Sequence, residues 1–388
     1  MRLLHTSDWH LGRSFGPVSL HEDQVAFVQW FVELAISEAV DLVVVAGDVY
    51  DRAVPPTRSI DVVRDALVRL HAAGIQVVVI TGNHDGAERV APYDGLLDAT
   101  GIHIRGGYSR AGEVLRLSFR DGPLDVVAMP FLDPVLAPLE PCTDGDAGLI
   151  DDRPRRPTHH AVAARAMQRA HNAGVGRRSL AVAHAFVVGG GVAPLVSDSE
   201  RELAVGGTGA VDASVFAGFS YAALGHLHAP QTVGAPERRY CGSPLAYSFS
   251  ETRPKEVVLV DIDAGGTART HPVPVPVGRG VSTLTGTIAQ LIEHRDPALA
   301  GHFIRAVLTD RGAVIDAKAR LQAVYPFVVE VELRPAAASA GEGCVPVHHR
   351  RRLRPAEAAA AFWHDVHAAE PSGAERELLA AGLDAAMG

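Results

Sequence analysis

Ile75-Gln76-Val77-Val78-Val79-Ile80-Thr81-Gly82-Asn83-His84-Asp85 is the stretch on which the fold turns. It begins as an apolar, largely β-branched run, too short for a helix and suited to a strand buried on both faces. The chemistry then changes abruptly. Gly82 permits a tight turn, and Asn83, His84 and Asp85 bring amide, imidazole and carboxylate together. Other segments repeat the arrangement. Leu42 to Val45 precedes Gly47-Asp48, Leu180 to Val182 precedes Ala183-His184, and Tyr221 to Leu224 precedes Gly225-His226-Leu227-His228. Asp8-Trp9-His10 follows the opening run of residues 2–6. Polar groups gathered beyond strand ends are how an α/β sheet presents its chemistry. Hard oxygen and borderline nitrogen donors in this mixture suit a pair of divalent ions. Two such ions about 3.5–4 Å apart form the usual device for attacking a phosphate ester.

Taken singly, the residues allow more than one arrangement. Asp8 and His10 alternate across an extended turn, so both can reach one ion, or one can align a neighbouring group. Gly47 lets the backbone come close to Asp48, whose carboxylate can bridge two cations with one oxygen to each. Asn83 offers a neutral carbonyl oxygen. His226 and His228, one residue apart, send their rings to different sides of an extended segment, and each could serve a different ion. The chain has 19 histidines, most of which need no such role. His184 is preferred over His159, His160 and His171 because it alone follows a strand-like run.

The 388 residues exceed one average domain and fall short of three, so a large domain with appendages is expected. With 47% hydrophobic and 21% charged residues the composition is that of a globular protein with a substantial core. A net charge of -9 argues against a whole-chain electrostatic grip on nucleic acid, although cations bound in a cleft would reverse the local field. Cys142, Cys241 and Cys344 lie far apart without a CxxC pattern, against a zinc finger or a disulfide framework. The start lacks the features of a signal peptide, and no run approaches about 18 apolar residues. A cytoplasmic protein without membrane contact is expected.

Along the chain, helix-period stretches at 21–37 and 57–73 alternate with strands at 41–45 and 75–80, Gly74 acting as a stop signal. This βαβαβ order predicts an α/β fold, a sheet covered by helices. Residues 114–119 and 124–129, split by Asp121-Gly122, read as a hairpin added to that sheet. Residues 133–157 are rich in Pro, Gly and Asp and read as a surface excursion. A helix at 158–173 and strands at 179–183, 257–261 and 270–275 follow. Pro272, Pro274 and Pro276 break the pattern and close a first domain at 1–275. A small α+β unit occupies 280–335, with helices at 288–293 and 314–323 and strands at 302–308 and 327–333. Beyond an Ala/Gly/Ser-rich linker and a basic knot from His348 to Arg354 lie helical stretches at 355–369 and 373–387. Helices so short and so poor in core are expected to dock on a partner, which makes 345–388 a docking region.

Together these motifs resemble the calcineurin-like metallophosphoesterase superfamily over about residues 1–270. Within it, three segments are similar to the SbcD family of bacterial nuclease subunits, which work with an SMC-like ATPase of the SbcC type. They are Leu3-Leu4-His5-Thr6-Ser7-Asp8-Trp9-His10-Leu11-Gly12, Gly47-Asp48-Val49-Tyr50-Asp51-Arg52, and Tyr240-Cys241-Gly242-Ser243-Pro244 with Phe249-Ser250-Glu251. The resemblance implies a β-sandwich flanked by helices, a capping domain at 280–335 and an ATPase-docking helical tail. It implies one ion on Asp8, His10, Asp48 and His228 and a second on Asp48, Asn83, His184 and His226. Mn2+ is the expected metal, and a water is activated for in-line attack on phosphorus. His84 would steady the transition state and protonate the leaving 3′ oxygen, with Asp85 orienting it. Two departures are small. Ala183 stands where glycine often precedes the histidine. Asp51-Arg52 is also similar to the GDxxDRG of protein phosphatases, which have GNHE where this chain has Asp85 and lack the final GHxH pair.

The implied activity is a Mn-dependent DNA nuclease, 3′–5′ exonuclease on duplex ends and endonuclease on single strands and hairpins. It would serve DNA repair, recombination and replication in a heterotetramer of two such chains with two SbcC-type chains. The nuclease domains would pair as a homodimer through residues near 57–73 and 86–100. Arg13, Arg52, Arg58 and Arg89 flank the motifs and are candidates for DNA phosphates. The basic knot is read as a solvated linker. Two other readings compete. A small-molecule phosphodiesterase or phosphatase would share the metal core but give no reason for the tail, and a non-catalytic adaptor would have lost ligands that are all present here.

Overall fold

The computed structural model describes residues 1–90, 94–137, 157–200, 209–335, 355–367 and 369–387. The expected excursion at 133–157 falls largely outside these residues, and the basic knot and most of the linker fall wholly outside them. The chain divides into two compact units, Met1–Val281 and Ser282–Gly388.

Two six-stranded sheets build the first unit. From edge to edge, the first runs Ala268–Pro274, Glu256–Ile262, Arg2–Thr6, Leu42–Ala46, Gln76–Ile80 and Ile102–Arg105. The second runs Gln231–Val233, Ala235–Tyr240, Tyr221–Gly225, Ser179–His184, Gly122–Met129 and Val114–Phe119. Each contains four consecutive parallel strands, completed by antiparallel pairing at its edges. The strict alternation of strand side chains makes a four-layer sandwich. Leu3, Leu42, Val44, Val78 and Val258 meet Leu124, Val126, Leu180, Val182 and Tyr221 between the sheets. On the outer face of the first sheet, Val43, Val45, Val77 and Val79 meet Ala66 and Leu70 of helix Thr57–Ala72. On the outer face of the second, Ala181, Ala183 and Leu224 lie in one core with Val162, Ala166 and Met167 of helix His159–Asn172.

The expected hairpin forms, but in the second sheet rather than the first. Gly122–Met129 pairs in parallel with Ser179–His184, and a hydrophobicity pattern does not say which sheet a strand joins. Strand Ile102–Arg105 was not foreseen, because His103 and Arg105 interrupt its apolar pattern. The first compact unit ends at Val281, a few residues past the proline alternation. Pro272 and Pro274 sit in an edge strand, where a missing N–H costs no interior hydrogen bond.

In the second unit, Val281–Gly286 adds an unforeseen strand to Phe303–Leu308 and Val328–Leu333, the last two parallel. Ile288, Ile304, Leu308, Leu321, Tyr325 and Val328 form its core. Helix Ala317–Gln322 starts later than expected because Asp316 takes a left-handed φ of 51°. Helix Ile288–Glu293 begins with a capping box in which Thr287 accepts from the Gln290 backbone N–H. The tail helices Pro355–His367 and Gly373–Met387 pack on each other and leave Phe362 68% and Leu378 74% exposed.

Candidate metal centre

Five loops from the ends of strands in both sheets converge at one edge of the sandwich. The first two are zipped together by backbone hydrogen bonds. Asp8 N–H donates to Gly47 O at 3.0 Å, His10 N–H to Asp48 O at 2.9 Å and Leu11 N–H to Val49 O at 2.9 Å. Asp8, His10 and Asp48 all take positive φ, as does His226 at 112°. Such strain in non-glycine residues persists only where surroundings impose it. Trp9 anchors the first loop by packing edge-on against Phe27 and Phe31 of helix His21–Ser37. Gln24 of that helix donates to His10 O at 2.7 Å and accepts from Gly12 N–H at 3.0 Å. Two glycines are obligatory. Gly47 has φ +90°, and a Cβ there would stand 2.3 Å from His184 Nδ1, while one on Gly82 would stand 2.1 Å from Asp48 Oδ1.

The structure brings all seven expected ligand residues together in two nests that meet at Asp48. In one, Asp8, His10 and His228 offer ligand atoms within 4.8 Å of one another, with His10 Nε2 3.2 Å from His228 Nε2. In the other, Asn83 Oδ1 lies 2.9 Å from His184 Nε2 and 3.2 Å from His226 Nδ1. Asp48 Oδ2 stands between the nests, 3.6 Å from His10 Nε2 and 3.5 Å from His184 Nε2. Asp8 is tied across the sheets by accepting from His226 N–H at 3.1 Å.

The donor set fits a divalent cation. His184 Nδ1–H donates to Ala46 O at 2.9 Å, so in the neutral ring Nε2 is a lone pair aimed at the carbonyl oxygen of Asn83. Two acceptors in such contact need an electrophile between them. Asn83 Nδ2 and His10 Nδ1 are also buried without a hydrogen-bond partner. Protonation is the other way this cluster can gain positive charge. Burial pushes the Asp8 carboxyl up to about 8. Burial opposes protonation of His184, but the Asp48 carboxylate outweighs it and lifts the imidazole to about 9. Burial likewise works against ionising Asp48, yet His184 and His10 hold it below the usual carboxylate range. These residues form a buried Asp/His site for divalent metal.

His84 stands at the site, but Asp85 takes a different place from that expected. His84 N–H donates to Asp48 Oδ1 at 2.8 Å, and its half-exposed ring stands edge-on to His10. Its Nδ1 bonds to the backbone carbonyl of Asp51 at 3.0 Å, not to Asp85. The Asp85 carboxylate accepts instead from the backbone N–H groups of Gly82, Tyr50 and Val49 at 2.8, 2.9 and 3.2 Å. It staples the second loop to the third and has no bond to spare for orienting His84. Burial, reinforced by the Asp48 charge, pushes Asp85 up to about 6.

Of the four arginines, Arg13 is engaged within the protein. Its guanidinium bonds Ser199 O at 3.2 Å, lies 3.4 Å from Asp51 and sits over the Tyr247 ring. Arg52, Arg58 and Arg89 are exposed. Sequence reasoning missed Gln24, Tyr247, whose hydroxyl donates to Trp9 O at 2.6 Å, and Ser199, Glu200 and Glu251, which surround His228. Only Glu251 carried a signal, as the end of the Phe249-Ser250-Glu251 motif.

Residues 1–128 match the family model of the calcineurin-like phosphoesterases. The D subunit of the SbcCD nuclease from Escherichia coli (strain K12) is 32% identical over 298 residues, 75% of this chain and 72% of that protein. Its counterpart from Bacillus subtilis (strain 168) is 33% identical over 72% of this chain and 71% of its own. The one from Rhodobacter capsulatus is 31% identical over 83% and 84% respectively.

Proposed function

The chain belongs to the family of the SbcCD nuclease D subunits, and from that membership we propose a Mn-dependent DNA nuclease that cuts duplex ends 3′–5′ and opens single strands and hairpins. It is a metal-dependent phosphodiester hydrolase of the calcineurin-like class. The observation that carries the reading is the position of Asp48, one carboxylate oxygen shared by two nests of ligands. Asp8, His10, Asp48 and His228 would hold one ion, and Asp48, Asn83, His184 and His226 the other. Bound there, the ions supply Lewis-acid charge to the phosphoryl oxygens and lower the pKa of water.

The protein's own groups do the rest. The buried loops fix the ligands before substrate arrives, which lowers the reorganisation needed at the moment of reaction. His84 Nδ1–H is committed to the Asp51 carbonyl, so Nε2 is the atom that exchanges a proton with substrate. Protonated, it donates Nε2–H to the phosphate and passes that proton to the leaving 3′ oxygen as the P–O bond breaks. Arg52, Arg58 and Arg89 supply phosphate contacts along the approach. The unit within 282–335 acts as a cap, and the tail helices dock an SbcC-type ATPase in an assembly of two chains of each kind. Exposed Phe362 and Leu378 support that docking role. The nuclease units pair with each other through the exposed side of helix Thr57–Ala72, where Ile60 and Val68 reach solvent. Among the described residues no helix is long and apolar enough to cross a membrane, and we place the chain in the cytoplasm.

The test is cleavage of end-labelled duplex and hairpin DNA by the purified chain in Mn2+, with and without an SbcC-type ATPase and ATP, beside Asp48→Ala. Cleavage lost in the variant and stimulated by the ATPase supports the nuclease reading. Hydrolysis of a small phosphodiester with DNA left intact would replace it by a small-molecule phosphodiesterase.

A further inference from the structure

His228 differs from the other ligand histidines in what stands behind it. Its Nε2 faces His10 Nε2 at 3.2 Å and is therefore the metal-facing atom, which leaves the proton on Nδ1. Nδ1 lies 2.7 Å from Ser199 Oγ and 3.3 Å from Glu251 Oε1. Ser199 in turn donates its hydroxyl to the same Glu251 oxygen. The second Glu251 oxygen accepts from Lys255 Nζ and from Ser243 Oγ at 3.2 Å. Lys255 also reaches Ser243 Oγ at 2.8 Å and the His228 carbonyl at 3.2 Å. The Glu251 side chain is 2% exposed, so it is a buried carboxylate with every lone pair engaged. By contrast, His184 Nδ1 is backed by a neutral backbone carbonyl, His226 spends its Nδ1 toward Asn83, and His10 Nδ1 makes no hydrogen bond among the described residues, its nearest carboxylate being Asp51 Oδ1 at 3.7 Å.

We infer that Glu251, clamped by Lys255, Ser199 and Ser243, is the positioning residue that fixes the tautomer of His228 and strengthens it as a donor to the ion on the Asp8–His10–His228 side. An anionic acceptor behind an imidazole raises the basicity of the opposite nitrogen and fixes the orientation of the ring, which a neutral carbonyl does less well. The clamp makes the two metal positions unequal and assigns Glu251 to one of them. This rests on the two-ion reading above.

The experiment is a Mn2+ titration of the full-length chain, followed by the electron paramagnetic resonance signal of free Mn2+, with the melting temperature of the metal-free protein measured alongside. The wild-type chain should bind two equivalents. Glu251→Gln should weaken one of them by about tenfold and spare the other, even where the unpaired Lys255 lowers the melting temperature of the metal-free protein. In an Asn83→Ala background, where only the His228-side ion remains, Glu251→Gln should weaken that remaining ion. Ser199→Ala, which leaves both charges in place, should shift the same equivalent in the same direction by less, and it carries the test if Glu251→Gln does not fold. Isotherms for the variants that superimpose on the wild type overturn the inference. So does equal weakening of both ions with a matching loss of melting temperature, since that is a merely structural role. A wild-type chain that binds no Mn2+ overturns the two-ion reading instead.

Discussion

His84 and Asp85 are adjacent in sequence and separable by experiment. His84→Ala should lower kcat by about 10²–10⁴-fold, the usual worth of a positioned acid, while bound metal per chain stays near the wild-type value. Metal lost together with activity would make His84 a ligand, a role its place beside His10 and Asp48 permits. Asp85→Ala acts through the fold, because it strips the acceptor from three backbone N–H groups at once. Unfolding in urea should show a loss of at least about 1–3 kcal/mol, and an unchanged midpoint would mean that water replaces the staple without cost. The clustering of the seven candidate ligand residues was legible because each stands just beyond a run of strand-forming residues, where alternation and a tight turn leave few places to point. Asp85 was not, since its partners are backbone groups and no residue pattern spells out a backbone N–H. Ser199 was hidden for another reason: its contact with Glu251 joins segments about fifty residues apart.

At the level of elements, the polar character of Ile102–Arg105 that hid it as a strand is also what holds it in place. Asp98, just before it, bonds Arg105 at 2.9 and 2.8 Å and His103 at 2.9 Å. Burial opposes ionisation of Asp98, but these partners outweigh it and hold its pKa down to about 2, against an ordinary 3.8. A folded-state pKa below the unfolded one stabilises the protein above the unfolded value, and that contribution disappears as pH falls through the folded value. The loss should therefore run from about pH 4 to pH 2. Asp98→Asn should unfold more readily in urea at pH 7, and its deficit relative to the wild type should shrink across that window. A deficit that stays constant with pH would show that the carboxylate charge contributes nothing. Helices and buried strands of the first sheet were readable because their periods are clean. The allocation of strands between two sheets was not, for a strand buried on both faces looks the same in either.

For the whole molecule, removal of everything beyond Ala340 should abolish association with an SbcC-type ATPase, measured by size exclusion of the mixture, while Mn-dependent cleavage by the isolated chain persists. Association that survives the truncation would move the docking surface to the first unit. The tail could be read from sequence as helical, since its composition favours helix, but the exposed Phe362 and Leu378 do not say by themselves what covers them. The metal centre has a consequence at this scale too. Its candidate ligands come from both sheets, Asp8, His10, Asp48 and Asn83 from one and His184, His226 and His228 from the other, so a bound ion would act as a rivet through the seam of the sandwich. Each site saturated at a hundred times its Kd should add about 2.7 kcal/mol to the folded state. Chelation should then lower the melting temperature, and an unchanged value would mean that the sheets are locked without the ion. A cell short of the metal would lose the protein itself to unfolding and proteolysis, so metal supply would set how much of it survives as well as how fast it works.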